Sequence, residues 1–201
     1  MTSEFIDPRI KRTKELINNS FLALIDEKGF DAITVQDITK KSEINRATFY
    51  RHYKDKYDLL EKIIDEKLEV FLKSINPKSF HSISYQYDEE EPHPIFMALF
   101  EHVLEHLDFY KVMLGSNGIN EFRVRMLKVI IDTFHNQFIE IFQKKEVKIP
   151  EDILLNYIIS AYLGVITFWV ENGIKYSPKY MAMQLTKLSL FGPLRSAGFT
   201  M

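Results

Sequence analysis

The chain contains no cysteine. That excludes disulfide bonds, thiolate metal sites and a cysteine nucleophile, and it fits a reducing cytoplasm. No apolar run of about 18 residues is recognised, and the chain opens on charged residues rather than a leader, so neither a membrane span nor export is expected. No strand, repeat or low-complexity tract stands out. A phosphate-cradling glycine loop and a nucleophile elbow are also missing, and the paired carboxylates read as surface charges, which weighs against a helical enzyme. No cofactor and no metal is assigned.

What is present is the composition of an ordinary globular protein, 46% hydrophobic and 27% charged over 201 residues, enough for one large or two small cores. The net charge of −2 conceals an asymmetry. Residues 8–56 hold eleven Lys or Arg against seven Asp or Glu, a surplus of four cations, and the remainder is acidic by six. A basic end on an acidic body is expected where only one end meets phosphate.

Almost every segment carries helical periodicity. Asp7-Pro8 supplies a cap and a first-turn proline, Ile10, Ile17, Phe21, Leu24 and Ile25 follow helical spacing, and Gly29 stops the run. Thr34 opens a second helix with Asp37 in capping-box position. Ser42-Glu43-Ile44 is a turn, Asn45 caps a short third helix, and Asp55 caps a fourth that runs to Asn76-Pro77. Residues 77–92 read as a loop. Further helices are expected over Pro94–Leu114, with a break near Leu107, and over Asn120–Lys145, Pro150–Gly173 and Pro178–Phe191. The expectation is an all-α chain of about nine helices.

The segment Thr34–Lys56 carries the chemistry. A short helix anchored by Phe49 and Ile44 leaves Arg46, Thr48, Tyr50 and Arg51 projecting outward or along the rim. Arg can donate twice to a guanine edge, Asn can pair with adenine, and a Tyr ring can touch a thymine methyl. Lys54, Lys56, Thr34 and Tyr53 suit phosphate contact, and Arg9, Lys11, Arg12 and Lys14 form a basic cluster upstream. By spacing alone, a helix-turn-helix and a solvated basic turn in a bundle remain equally open.

The run R-x-T-F-Y-x-H-Y-x-x-K, here Arg46–Lys56, following I-T-V-Q-D-I, closely resembles the DNA-binding signature of the tetracycline-repressor (TetR) family of bacterial transcriptional regulators. The resemblance covers residues 9–60. It implies a three-helix helix-turn-helix DNA-binding domain over 1–54 and a helical ligand-binding and dimerisation domain over 55–201. It also implies that Asn45, Arg46 and Tyr50 face bases, that Thr48 and Arg51 lie between base and phosphate, and that Thr34, His52, Tyr53 and Lys56 hold phosphates. One position departs from the family: Glu43 stands where glycine is usual, so a positive φ there would strain the backbone and set a negative charge near DNA.

The resemblance thins beyond residue 60. Pro150–Phe191 resembles the family's dimerisation helices, and Tyr157, Ala161, Gly164, Leu185 and Leu188 are the candidate interface. Phe96, Phe100, Tyr110, Phe134, Phe138 and Trp169 lie on helices that would enclose an apolar effector. His102 and His106 share a helix face at the border of the apolar and charged surfaces, as partly exposed histidines, pocket lining or half of a metal site. The leading expectation is a cytoplasmic homodimer that leaves a palindromic operator when an unknown small molecule binds. The alternative is a DNA-binding co-regulator controlled by a protein partner in place of the small molecule.

Overall fold

The computed structural model describes residues 7–74, 91–129, 131–132 and 149–198. Among these the only regular structure is helical. The helices are α1 (Pro8–Lys28), α2 (Val35–Lys41), α3 (Arg46–His52), α4 (Lys56–Ser74), α5 (Pro94–Glu105), α6 (Leu107–Leu114), α7 (120–129), α8 (Glu151–Glu171) and α9 (Pro178–Ser196). An N-terminal helix-turn-helix unit is followed by a larger helical domain.

Local chemistry fixes most boundaries. Asp7 accepts from the Arg9 amide at 2.9 Å, Pro8 needs no donor partner at the first helical position, and Gly29 at φ 75° ends α1. Thr34 and Asp37 form the reciprocal capping box of α2. Asp55 accepts from the amides of Tyr57 and Asp58 at 2.9 and 2.8 Å and opens α4. The expected break in the fifth helical stretch falls at His106, whose φ of −113° separates α5 from α6. Gly192 at φ 73° interrupts α9 before Pro193.

A continuous apolar core joins the elements. Ile17, Phe21 and Ile25 of α1 are fully buried with Ile38, Phe49, Leu59 and Ile64. Beyond α4 the core continues through Phe100, Tyr110, Met113, Phe122 and Trp169. α5 packs on α4 and α9, and α6 on α1 and α8. Helix α4 therefore begins beside the helix-turn-helix and ends against α5. A second link is the Asn117 side chain, which donates to the Asp26 carbonyl at 2.9 Å and ties the α6–α7 turn to the end of α1.

One expectation is corrected. The chain does hold a helix long and apolar enough, by length and composition, to cross a membrane: α8, in which no charged residue lies between Asp152 and Glu171. Asn156, Ser160 and Thr167 interrupt a strictly apolar run, which hid it, but they add no charge. Only 28% of its most apolar stretch is buried within the chain.

Candidate nucleic-acid interface

Helices of seven residues are marginal alone. α2 and α3 are held by their caps and by one inward side chain each, Ile38 and Phe49, both fully buried. Asn45 caps α3 by accepting from the Ala47 amide at 2.9 Å. Tyr50 and Tyr53 pack on Phe49, both with ring centroids 5.6 Å away. In the turn, Glu43 takes φ 54° and the Ile44 amide donates back to the Thr39 carbonyl at 3.1 Å. The positive φ that makes glycine usual here is thus present, carried by a residue with a Cβ.

Phe49 faces in, so the opposite side of α3 faces solvent. Asn45, Arg46, Ala47, Tyr50 and Arg51 are exposed there, Tyr50 by 49%, and Thr48 is half-buried at the edge. The Arg46 guanidinium lies 5.8 Å from the Tyr50 ring centroid and donates to its hydroxyl at 3.4 Å. Arg51 reaches the Thr48 hydroxyl at 3.5 Å. These long contacts keep the two guanidiniums extended along the open face.

The flanking residues divide into two groups. Thr34 is exposed as the cap of α2, and His52 is half-buried at the end of α3. The Thr34 hydroxyl donates to Asp37 at 2.7 Å, and Lys28 bridges the same carboxylate at 2.9 Å, which together hold Asp37 well below the usual carboxylate range. His52 lines a cleft of about 130 Å³ with Lys14, Asn18, Tyr53, Lys62, Ile63 and Glu66. Burial, then Lys14, Arg51 and Lys62, lower its pKa, so the imidazole is neutral in a cationic field suited to a phosphate oxygen.

Tyr53 and Lys56 are engaged in the fold. Tyr53 is buried and its hydroxyl donates to Asn18 at 3.2 Å; burial, with Glu66 and Asp58 nearby, pushes that hydroxyl up to about 12. The Lys56 ammonium donates to the carbonyls of Phe30 and Asp31 at 3.1 and 3.0 Å and sits 4.7 Å from the Phe30 ring centroid. It therefore pins the α1–α2 turn to α4. Neither contact is visible in local spacing, because the partners lie 25 to 35 residues away.

A short helix on a buried anchor, presenting Asn, Arg and Tyr on one face and cations at its margins, is the geometry of major-groove reading. Residues 22–63 match bacterial regulatory proteins of the tetR family, and residues 90–190 match a transcriptional regulator C-terminal region of the same family group, TetR_C_8, which spans half of the chain. The chain belongs to the TetR family of bacterial transcriptional regulators. It is a DNA-binding transcriptional regulator.

Among TetR-type relatives, the HTH-type transcriptional regulator YxbF of Bacillus subtilis is 25% identical over 180 residues, 89% of this chain. The chain spans only 45% of that protein's length. The negative regulator IcaR of the biofilm operon icaADBC in Staphylococcus epidermidis is 25% identical over 152 residues, 73% of this chain and 78% of IcaR. FadR of Bacillus subtilis, solved in complex with stearoyl-CoA, superposes with a TM-score of 0.61 at 19% identity, over 89% of this chain and 98% of FadR, and shares the fold.

In the C-terminal region, Phe96, Phe100, Tyr110 and Trp169 are buried. Phe100 meets Trp169 edge to face at 5.1 Å, and the Trp169 indole donates to the Tyr176 carbonyl at 2.9 Å. Phe134 and Phe138 lie outside the described residues. His102, expected at a partly exposed border, is 3% exposed, because α5 is gripped by both α4 and α9. Of the interface candidates, Tyr157, Ala161 and Gly164 are exposed on one face of α8 and Leu188 is half-buried. Leu185 is buried in the chain's own core and cannot face a partner.

Proposed function

We propose that this TetR-family protein acts in the cytoplasm as a homodimeric repressor, holding a palindromic operator through α3 of each subunit and leaving it when a small molecule binds among the later helices. The observation that carries the DNA-reading half is the solvent-facing side of α3, built on buried Phe49. Residues 1–54 would read and residues 55–201 would control. Asn45, Arg46 and Tyr50 face bases, Thr48 and Arg51 lie at the margin, and Thr34 and His52 meet phosphates. Tyr53 and Lys56 serve the same contacts chiefly by fixing α3 and the α1–α2 turn.

Repression is supported by IcaR, named as a negative regulator, and small-molecule control by FadR, solved with stearoyl-CoA. In such a mechanism the effector favours a conformer in which the two reading helices no longer match successive major grooves. Helix α4, the packing of α6 on α1 and the Asn117–Asp26 bond are connections through which such a change would pass.

Selection of bound fragments from genomic DNA would yield the operator. On it, Arg46→Ala is expected to lose about 1–3 kcal/mol and to relax base preference at one position of each half-site. Equal weakening on every sequence would place Arg46 on a phosphate, and recovery of no common palindrome would remove the operator reading.

A further inference from the structure

Three polar atoms shielded from solvent lie close together without hydrogen-bond partners among the described residues. His102 and His106 stand one turn apart across the α5–α6 junction, ring centroids 4.6 Å apart and inclined at 75°. Tyr110 follows one turn later, 5.8 Å from His102, and Phe71 of α4 closes the other side at 5.3 Å. His102 Nε2, His106 Nε2 and the Tyr110 hydroxyl are all shielded from solvent, and among the described residues none has a hydrogen-bond partner. Buried polar atoms are almost always satisfied, and an unsatisfied one costs its desolvation outright. Three in adjacent turns do not suit packing, since Phe100 and Trp169 nearby fill space without that cost.

We propose that His102, His106 and Tyr110 bind the acidic head of a small organic anion, a carboxylate carried on an apolar body. This rests on the small-molecule reading above and names the chemical class of the effector. Neutral imidazoles and a phenol can each turn an N–H or O–H toward one acceptor, and such bonds are strongest when the acceptor is charged. The field has the matching sign. Burial first, then His106 and Lys67, lower the pKa of His102 to about 4. At His106 the cationic influence of Lys67 exceeds the opposing one of Glu105.

A divalent cation fits less well, because Lys67 repels it and no group of three or more His, Asp or Glu among the described residues could hold one. The rings that meet the cluster suit an apolar body: Phe71 lies 5.3 Å from His102 and Phe122 6.1 Å from Tyr110 between ring centroids, and both are buried.

The test uses the full chain without DNA, following the histidine imidazole resonances by NMR and thermal stability by calorimetry. Probes are benzoate and octanoate, their uncharged counterparts benzyl alcohol and octanol, inorganic phosphate, and zinc. Both carboxylates are expected to shift the His102 and His106 resonances and raise the melting temperature, with the alcohols binding about tenfold or more weaker. Tyr110→Phe should melt higher than the parent when ligand-free yet bind carboxylate more weakly, a pairing that a purely structural tyrosine would not give. Lys67→Met should erase the preference for carboxylate over alcohol.

The proposal fails if no carboxylate moves these resonances at low millimolar concentration, if the alcohols bind equally well, or if only phosphate or zinc binds. Operator release is measured separately. Carboxylate binding at the cluster without release would sink the effector reading and leave this site standing. Release by an effector that Tyr110→Phe and Lys67→Met do not weaken would do the reverse.

Discussion

Glu43 holds a left-handed backbone conformation at φ 54°, a region that costs a residue with a Cβ roughly 1 kcal/mol. Glu43→Gly should therefore raise the unfolding free energy by about 0.5–1 kcal/mol, somewhat less than the strain relieved, because glycine also loosens the unfolded chain. It also removes an anion from the turn that precedes the reading helix, so operator affinity should rise with stability. Urea unfolding and operator titration check both, and a variant that is less stable would show that Glu43 makes contacts outweighing the strain. Lys56 is the opposite case. Its ammonium holds two backbone carbonyls, so Lys56→Ala should lose about 1–2 kcal/mol of stability. Lys54→Ala, at an exposed position, should instead leave stability unchanged and reduce the salt dependence of binding by about one unit. A reversed pattern would exchange their roles.

Among the elements, the α5–α6 junction is where acid should first be felt. His102 titrates near 6.5 when unfolded and at about 4 when folded, with burial the main cause and His106 and Lys67 adding to it. Over that window the unfolded chain binds more protons than the folded one, so stability falls as pH drops from 6.5 to 4. The loss attributable to His102 is on the order of 3 kcal/mol, and His102→Phe should flatten that limb of a denaturation series; an unchanged limb would assign it to other groups. How much of this was legible depends on range. The ends of α1, α2, α3 and α4 could be read from Asp7, Thr34 with Asp37, Asn45 and Asp55, because a cap is decided within four residues. The positive φ at Glu43 was legible only through the family resemblance, because glycine is usual at that position and nothing in the local spacing demands it. The burial of His102 was not, because on α5 alone it sits at the edge of the apolar stripe and only packing by α4 and α9 covers it. Tyr53–Asn18 and the carbonyls held by Lys56 were invisible for the same reason, and Leu185 was read as facing outward although other helices of the same chain bury it.

At the scale of the whole molecule, α8 poses a question that one chain does not answer. Ile153, Tyr157, Ser160, Ala161, Gly164 and Phe168 all lie on one side of it and all are exposed, Ile153, Tyr157 and Phe168 by 58, 59 and 54%. A Cβ built on Gly164 would meet nothing within 4 Å, so that side is open and narrow enough for another helix to approach closely. Leu190, Phe191 and Leu194 on α9 extend the apolar surface, and Tyr162 fastens the two helices through a 2.9 Å bond to Ser189. Fully covering side chains of this size is worth roughly 1.5–3 kcal/mol each, enough for self-association even after the entropy of joining two chains is met. Two-fold symmetry would then place two copies of α3 on one side of the dimer, which a palindromic operator requires at about 34 Å. Tyr157→Arg combined with Phe168→Glu leaves the buried side of α8 untouched, so the variant should keep its helicity and sediment as a monomer. Losing the second reading helix removes the effective concentration that linkage provides, so operator affinity should fall by about 10²–10⁴ while base preference within a half-site is retained. A variant that sediments as a dimer would place the subunit contact elsewhere, and a monomer with undiminished affinity would show that one reading helix suffices.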